Sequence, residues 1–416
     1  MHRTTCVIFI MMFSLSAPMM NAQPDNIGKL TLKSAVEIAI KSNPELEVLR
    51  KEITARESVK LQSSLYPNPV FDIEAENILG QEDFSGFKGS EVTAKVSQDI
   101  LLAGKISKRT KIAEADISLA EWDYEIKRLD VITNVRKVFV SALSTQTIIE
   151  KNKELINISN ELISNLEKRV EAGKISPAEV SRAMIILNSL QIELNRLQSE
   201  YDISIVELKS LLYQPEFSFT SLEDSTESVF ELPDFNSLVL QLGNNPNLKR
   251  YEREYQKQQA VINYEESKAV PDINISAGYK RLNEAKANTF LIGASIPLPL
   301  FDRNQGSIQE AMIRYDQKKI EKESIENKLR LNLGVLYKRF KSLLNISEQL
   351  KNNSIPKAHE IFNIIKEGNQ SGRFAILDVI DAERTLFELQ NQYLTVIGEI
   401  QIVKSEIEGL ISKEIN

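Results

Sequence analysis

Cysteine and histidine are almost missing from this chain of 416 residues: there is one cysteine, Cys6, and two histidines, His2 and His359. Beyond residue 22 no thiol remains for a disulfide or for a lipidated N-terminal cysteine. With His359 alone left, Cys–His dyads, zinc sets and histidine-dependent serine triads lack their raw material. His359 then reads as a polar residue on a helix flank. An apolar run of about 18 residues is also lacking beyond residue 22, which excludes a membrane helix but not a β-barrel, whose strands alternate. Positive charge is not in excess either: 51 basic against 58 acidic residues give a formal charge of −7, which argues against a nucleic-acid partner.

Residues 1–22 read as a secretory signal. His2 and Arg3 open it, an apolar run from Cys6 to Met20 follows, and Ala22 closes it, so the processed chain is expected to start near Gln23.

Internal repetition organises the rest. Asn43-Pro44 recurs as Asn245-Pro246, and Pro69 as Pro271, both 202 positions further on. Gly173, Glu179-Val180 and Ala183 recur 199 positions on as Gly372, Asp378-Val379 and Ala382. We therefore expect two similar halves, 23–212 and 235–412, joined by a linker at 213–234 and followed by a tail at 413–416. Each half opens on a short amphipathic helix, Leu32 to Ser42 and Phe235 to Gly243, ended by Asn-Pro because a residue before proline avoids the helical region. A second helix follows, near 45–65 and 247–268. Two strands come next, within 69–101 and 271–300, each pair forming a hairpin. A very long helical pattern then runs over 104–172 and 304–370, about 100 Å each at about 1.5 Å per residue. A shorter helix returns at 176–212 and 375–412. Apolar residues step by three or four along these segments, as at Leu190, Leu194, Leu197, Tyr201, Ile205, Leu208 and Leu212, and at Ile325, Leu329, Leu333, Leu336, Phe340 and Leu343. A short helix before and another after each hairpin nearly match one long helix, which suits the wall of a tube; a spectrin-like rod would show the same stripes without hairpins.

The strands alternate strictly. Phe71, Ile73 and Ala75 oppose Asp72, Glu74 and Glu76; Val92, Ala94 and Val96 oppose Glu91, Thr93, Lys95 and Ser97. Ile273, Ile275, Ala277 and Tyr279 alternate with Asn274, Ser276 and Lys280, and Phe290, Ile292, Ala294 and Ile296 with Thr289, Gly293 and Ser295. An ordinary sheet with one wet face fits this pattern, and so does a membrane barrel. Four strands do not close a barrel, which takes at least about eight, whereas three chains would supply twelve. On the barrel reading Asp72, Glu74, Glu76, Glu91 and Lys95 line the pore, either as a cation-friendly surface or as plain solvation of a water-filled channel. Acids alternating along a strand do not flank a substrate pocket, so no glycosidase is expected.

This pattern resembles the TolC-like family of outer-membrane efflux proteins over essentially the whole processed chain. The segment Ser295 to Gly306, SIPLPLFDRNQG, followed by Ile308 and Ala311, resembles the heavy-metal branch, the cobalt-zinc-cadmium and copper-silver ducts. TyrPro-AsnPro at 66–69, Glu74-Ala75-Glu76-Asn77, Glu91, Ser97-Gln98 and Gly104-Lys105 are similar to that branch's first hairpin. Ala103 stands where a glycine is usual, and the lipid-anchor cysteine of some relatives is absent.

The resemblance implies a mostly α fold with β: a trimer whose hairpins make a twelve-stranded barrel in the Gram-negative outer membrane, continued by a long α-helical barrel in the periplasm. It implies an exit duct for heavy-metal cations with no catalysis and no cofactor, fed by an inner-membrane RND pump and its periplasmic adaptor. It also places the gate and the adaptor grip at the two helical turns, with Gly173, Glu179 and Arg182 on one and Gly372, Asp378 and Asp381 on the other. Glycine permits those turns. Asp378 and Asp381 match acids that ring the constriction in relatives, and three copies would gather six carboxylates. Arg182 pairs with a neighbouring acid on this reading. Acids also favour a helix's first turn for its dipole alone, so Asp378 and Glu179 carry two readings. A drug or polypeptide duct of the same fold, and a soluble periplasmic coiled-coil scaffold, stay open.

Overall fold

The computed structural model describes residues 27–82, 85–223 and 233–413. The expected signal at 1–22 and most of the tail lie outside these residues.

Strand β1 (Ile27–Thr31) leads into helix α1 (Leu32–Ser42), and α2 (Pro44–Ser64) follows at once. Asn43 both ends α1 and starts α2: its backbone is extended, as proline demands, and its Oδ1 accepts from the N–H groups of Glu45 (2.8 Å) and Leu46 (3.1 Å). Strands β2 (Val70–Glu76) and β3 (Glu91–Ile100) then form a hairpin, followed by α3 (Lys105–Glu171) and the returning α4 (Pro177–Leu211). Strand β4 (Phe219–Glu223) lies in the segment read as a linker and pairs in parallel with β1. The second half repeats the order with α5 (Phe235–Gln241), a short 3₁₀ turn, α6 (Pro246–Lys268), β5 (Ile273–Leu282), β6 (Ala287–Ser295), α7 (Gln305–Gln349), α8 (Ile355–Gln370) and α9 (Ile376–Ile411).

The second long helix is not continuous, contrary to expectation. A π turn at Leu350–Ser354 separates α7 from α8, just before Pro356. Proline has no N–H for the carbonyl four residues back and its ring collides with that carbonyl; the wider turn accommodates both. The last strand is also shorter than expected, since its ladder stops at Ser295.

Each half has its own core. Leu30, Ala39, Leu46, Val135, Phe139 and Leu208 are buried together in the first; Leu238, Leu333, Phe340, Ile400, Val403 and Ile407 in the second. These clusters sit where the short α1 or α5 covers the middle of the long helix. The halves meet along α3 and α9, tied by Arg136–Glu408 (2.9 Å) and Lys137–Glu406 (2.5 Å).

The strands make one antiparallel sheet in the order β2-β3-β5-β6. A partly buried ion pair joins it to the helices: the Lys105 ammonium contacts Asp272 Oδ1 and donates to the Val270 carbonyl, both at 2.7 Å, while Leu102 N–H donates to the same Asp272 oxygen (2.9 Å). Just before this joint Ala103 has φ +54°, a left-handed conformation that costs a side chain about 1–2 kcal/mol. Replacing Ala103 with glycine should stabilise the protein by about 0.5–1 kcal/mol after the extra entropy of glycine is counted, measurable as a raised denaturation midpoint.

Candidate functional site

Two groups of residues lie at opposite ends of α3, about 100 Å apart for a helix of 67 residues. At one end is the sheet. Its register sets Phe71 opposite Val96, Val96 opposite Ala277 and Ala277 opposite Ile292, so these apolar residues of the four strands share one face, while Val70 and Leu291, opposite Ser97 and Gly278, fall on the other. The apolar face is bare: Phe290 is 86% and Ile292 91% exposed. The other face gathers every expected lining residue, with Asp72 opposite Lys95 and Glu76 opposite Glu91. Lys95 reaches Glu74 at 3.9 Å, and Asp99 accepts from Asn274 (2.8 Å).

Lys280, which was not among the expected lining residues, holds this face together. Its ammonium reaches Glu76 at 3.1 Å and also contacts Glu91, bridging two acids that stand directly opposite each other. The alternation of β5 placed Lys280 on the polar face, but the cross-strand register that brings it to both acids is a tertiary property. Gly278 lies opposite Lys95, and a Cβ there would sit 2.7 Å from the Ala94 carbonyl oxygen and 2.8 Å from Lys95 Cβ. Only glycine allows that approach.

At the other end are the two helical turns. Gly173 (φ +69°) and Gly372 (φ +75°) take the left-handed conformation that ends α3 and α8. Lys174 N–H donates to the Arg169 carbonyl and Arg373 N–H to that of Gly368, closing Schellman-type caps. Ile163 and Leu166 of α3, Ala183 of α4 and Ile380 of α9 form one buried cluster, which brings the two turns together. The expected tip residues therefore share one end of the molecule. Their environments differ: the Asp378 carboxylate accepts from the Ala375 N–H (2.8 Å), fastening the first turn of α9, while Asp381 is exposed and 3.5 Å from Arg384. The exposed Arg182 is 3.9 Å from the half-buried Glu179, a loose pair of small energetic weight.

Asp378 and Asp381 also border a groove of 440 Å³ between α8 and α9, whose far wall includes Ser354, Lys357 and Ile361 beside the π turn. In the same helix pair, burial lifts the Glu383 carboxyl above the ordinary carboxylate range, and Lys366 opposes the shift.

The outer membrane efflux protein family model matches residues 35–212 and 238–411. The chain belongs to the outer membrane efflux protein family. It is 30% identical over 390 residues to the cobalt-zinc-cadmium resistance protein CzcC of Cupriavidus metallidurans, spanning 93% of this chain and 91% of that one. It is 23% identical over 274 residues to the nickel-cobalt-cadmium resistance protein NccC of Alcaligenes xylosoxydans xylosoxydans, covering 65% and 61% of the two chains. Among solved structures, the outer membrane protein VceC of Vibrio cholerae superposes with a TM-score of 0.73 at 18% identity over 92% of this chain and 97% of that one. CusC gives a TM-score of 0.73 at 16% identity, over 92% of each chain. As a member of this family the protein is an outer-membrane efflux channel with a periplasmic helical extension, and not an enzyme. The soluble scaffold is thereby set aside.

Two stability measurements follow from the tip. Asp378→Ala should cost about 1 kcal/mol through the lost cap, whereas Asp381→Ala should stay within about 0.5 kcal/mol, both read from denaturation midpoints. For Glu383 the folded pKa lies above the unfolded one, so folding takes up a proton and stability falls as pH rises from the unfolded value through the folded one. Glu383→Gln should accordingly raise the midpoint at pH 8 and change it little at pH 4.

Proposed function

We propose that the protein is a homotrimeric exit duct for heavy-metal cations, working between the outside medium and a periplasmic adaptor with its inner-membrane RND pump. The carrying observation is the sheet itself: a bare apolar face, a charged face, and two open edges, β2 and β6. Three antiparallel pairings separate β2 from β6, so β6 of one copy meets β2 of the next antiparallel, and three copies of four strands close a ring of twelve. In that ring the apolar face meets lipid and the polar face lines the pore.

The cargo reading rests on CzcC and NccC, whose names record cobalt, zinc, cadmium and nickel resistance. The pore face suits cations, since Asp72, Glu74, Glu76, Glu91 and Asp99 outnumber Lys95 and Lys280. At the tip, three copies of Asp378 and Asp381 place six carboxylates at one constriction, which attract cations and repel one another. Gly173, Glu179 and Arg182 on the neighbouring turn complete the surface that an adaptor grips.

Loss of the protein should sensitise cells to cobalt, zinc or cadmium and leave drug tolerance unchanged; sensitivity to drugs alone would transfer the assignment to a drug duct. Replacing Asp378 and Asp381 together with alanine should raise single-channel conductance and weaken block by multivalent cations. Unchanged conductance and block would leave both acids as helix-end residues.

A further inference from the structure

The stretch Ser295–Gly306, SIPLPLFDRNQG, is the most distinctive motif of the chain, and neither the pore face nor the tip uses it. Beyond Ser295, the last residue of β6, it belongs to no strand or helix until α7 begins at Gln305, because the β5–β6 ladder ends with Asn274 opposite Ser295. Ile296 and Leu298 each precede a proline, which keeps the backbone extended. The apolar positions of β6, Phe290, Ile292 and Ala294, therefore continue below the ladder as Ile296, Leu298 and Leu300, with Phe301 next. All are uncovered: Leu298 is 76% and Leu300 65% exposed, and Phe301, at 91%, is as bare as Ile292 on the strand.

The segment is nonetheless held firmly. Asn304 Nδ2 donates to the Glu265 carbonyl (2.8 Å) and carboxylate (2.7 Å), Asn304 N–H donates to Asp302 (2.9 Å), and Arg303 Nε donates to the Pro299 carbonyl (3.2 Å). A fixed backbone that presents a row of leucines and a phenylalanine needs an apolar neighbour. The first half has no counterpart, since Leu101 and Leu102 are half-buried and Lys105 is turned inward onto Asp272.

We propose that Ile296–Phe301 is a membrane-interface anchor that seats in the periplasmic leaflet of the outer membrane, with phospholipid as its occupant. Continuity with the lipid-facing stripe of β6 carries the assignment, which rests on the barrel reading above. Leu298, Leu300 and Phe301 lie at the boundary of acyl chains and headgroups, and the exposed Arg303 stands beside them to meet the phosphates. The anchor fixes the height of the duct in the membrane. It does so in a chain that beyond residue 22 has no cysteine to acylate.

The chain's single tryptophan makes the test clean. Trp122 lines a crevice between α3 and the end of α9, about 25 Å along α3 from the rim, and is replaced by phenylalanine in the background protein. In that background Phe301→Trp and, separately, Phe290→Trp are reconstituted as the full chain in vesicles of phosphatidylcholine brominated along its acyl chains. The Phe290→Trp variant reports the barrel. The proposal expects the Phe301→Trp variant to lose fluorescence to brominated lipid as strongly as the Phe290→Trp variant does, and to resist aqueous iodide. Quenching of the Phe301→Trp variant by iodide alone would place the segment in water and overturn the proposal. Quenching of that variant by neither agent would mean that a second copy of the chain covers the segment, which also overturns it. Failure of the Phe290→Trp variant to respond to brominated lipid would sink the barrel reading, and the anchor with it.

Discussion

A backbone N–H or C=O left without a partner in hydrocarbon costs several kcal/mol, and the organisation of this protein answers that constraint. One chain offers four strands with apolar side chains bared along one face and main-chain groups open on β2 and β6. A single copy has no way to satisfy both edges in a bilayer. The proposed closure by three copies removes the edges, buries the apolar face in lipid and leaves the charged face around water.

The rest of the chain transmits that closure away from the membrane. The Lys105–Asp272 pair and the Asn304–Glu265 bonds fix where strands hand over to helices, so that in the proposed trimer the ring of strands sets the spacing of the ring of helices. Paired helices then carry the wall to the tip, each half built on its own core. The π turn before Pro356 is a break in that wall on one half only: α3 runs uninterrupted while α7 and α8 do not. The two turns, alike in their glycine caps, thus hang on supports of different continuity.

Much of this was legible in the sequence because it is written in local periodicity. Alternation at Phe71–Glu76 and Ile273–Lys280 identifies faces without knowledge of partners, and Asn-Pro marks helix boundaries through one residue's backbone preference. What escaped depends on contacts between distant positions. The five-residue strands β1 and β4 pair across some 192 residues and are too short to show a period. Lys280 reads as one more polar residue until the register brings it between Glu76 and Glu91. Pro356 lay inside a helical pattern whose apolar stripe continues on both sides, so periodicity hid the break. At the tip, the acids at 378 and 381 were visible, but the division of labour between a cap-forming Asp378 and an exposed Asp381 beside Arg384 required the bond to Ala375.

The central claim is that copies of this chain close a membrane pore, and the most direct measurement is the mass of the detergent-extracted outer-membrane protein together with its conductance in a planar bilayer. The account predicts a trimer that conducts, with cations preferred over anions. A monomer or dimer, or a trimer that leaves the bilayer electrically silent, would contradict it.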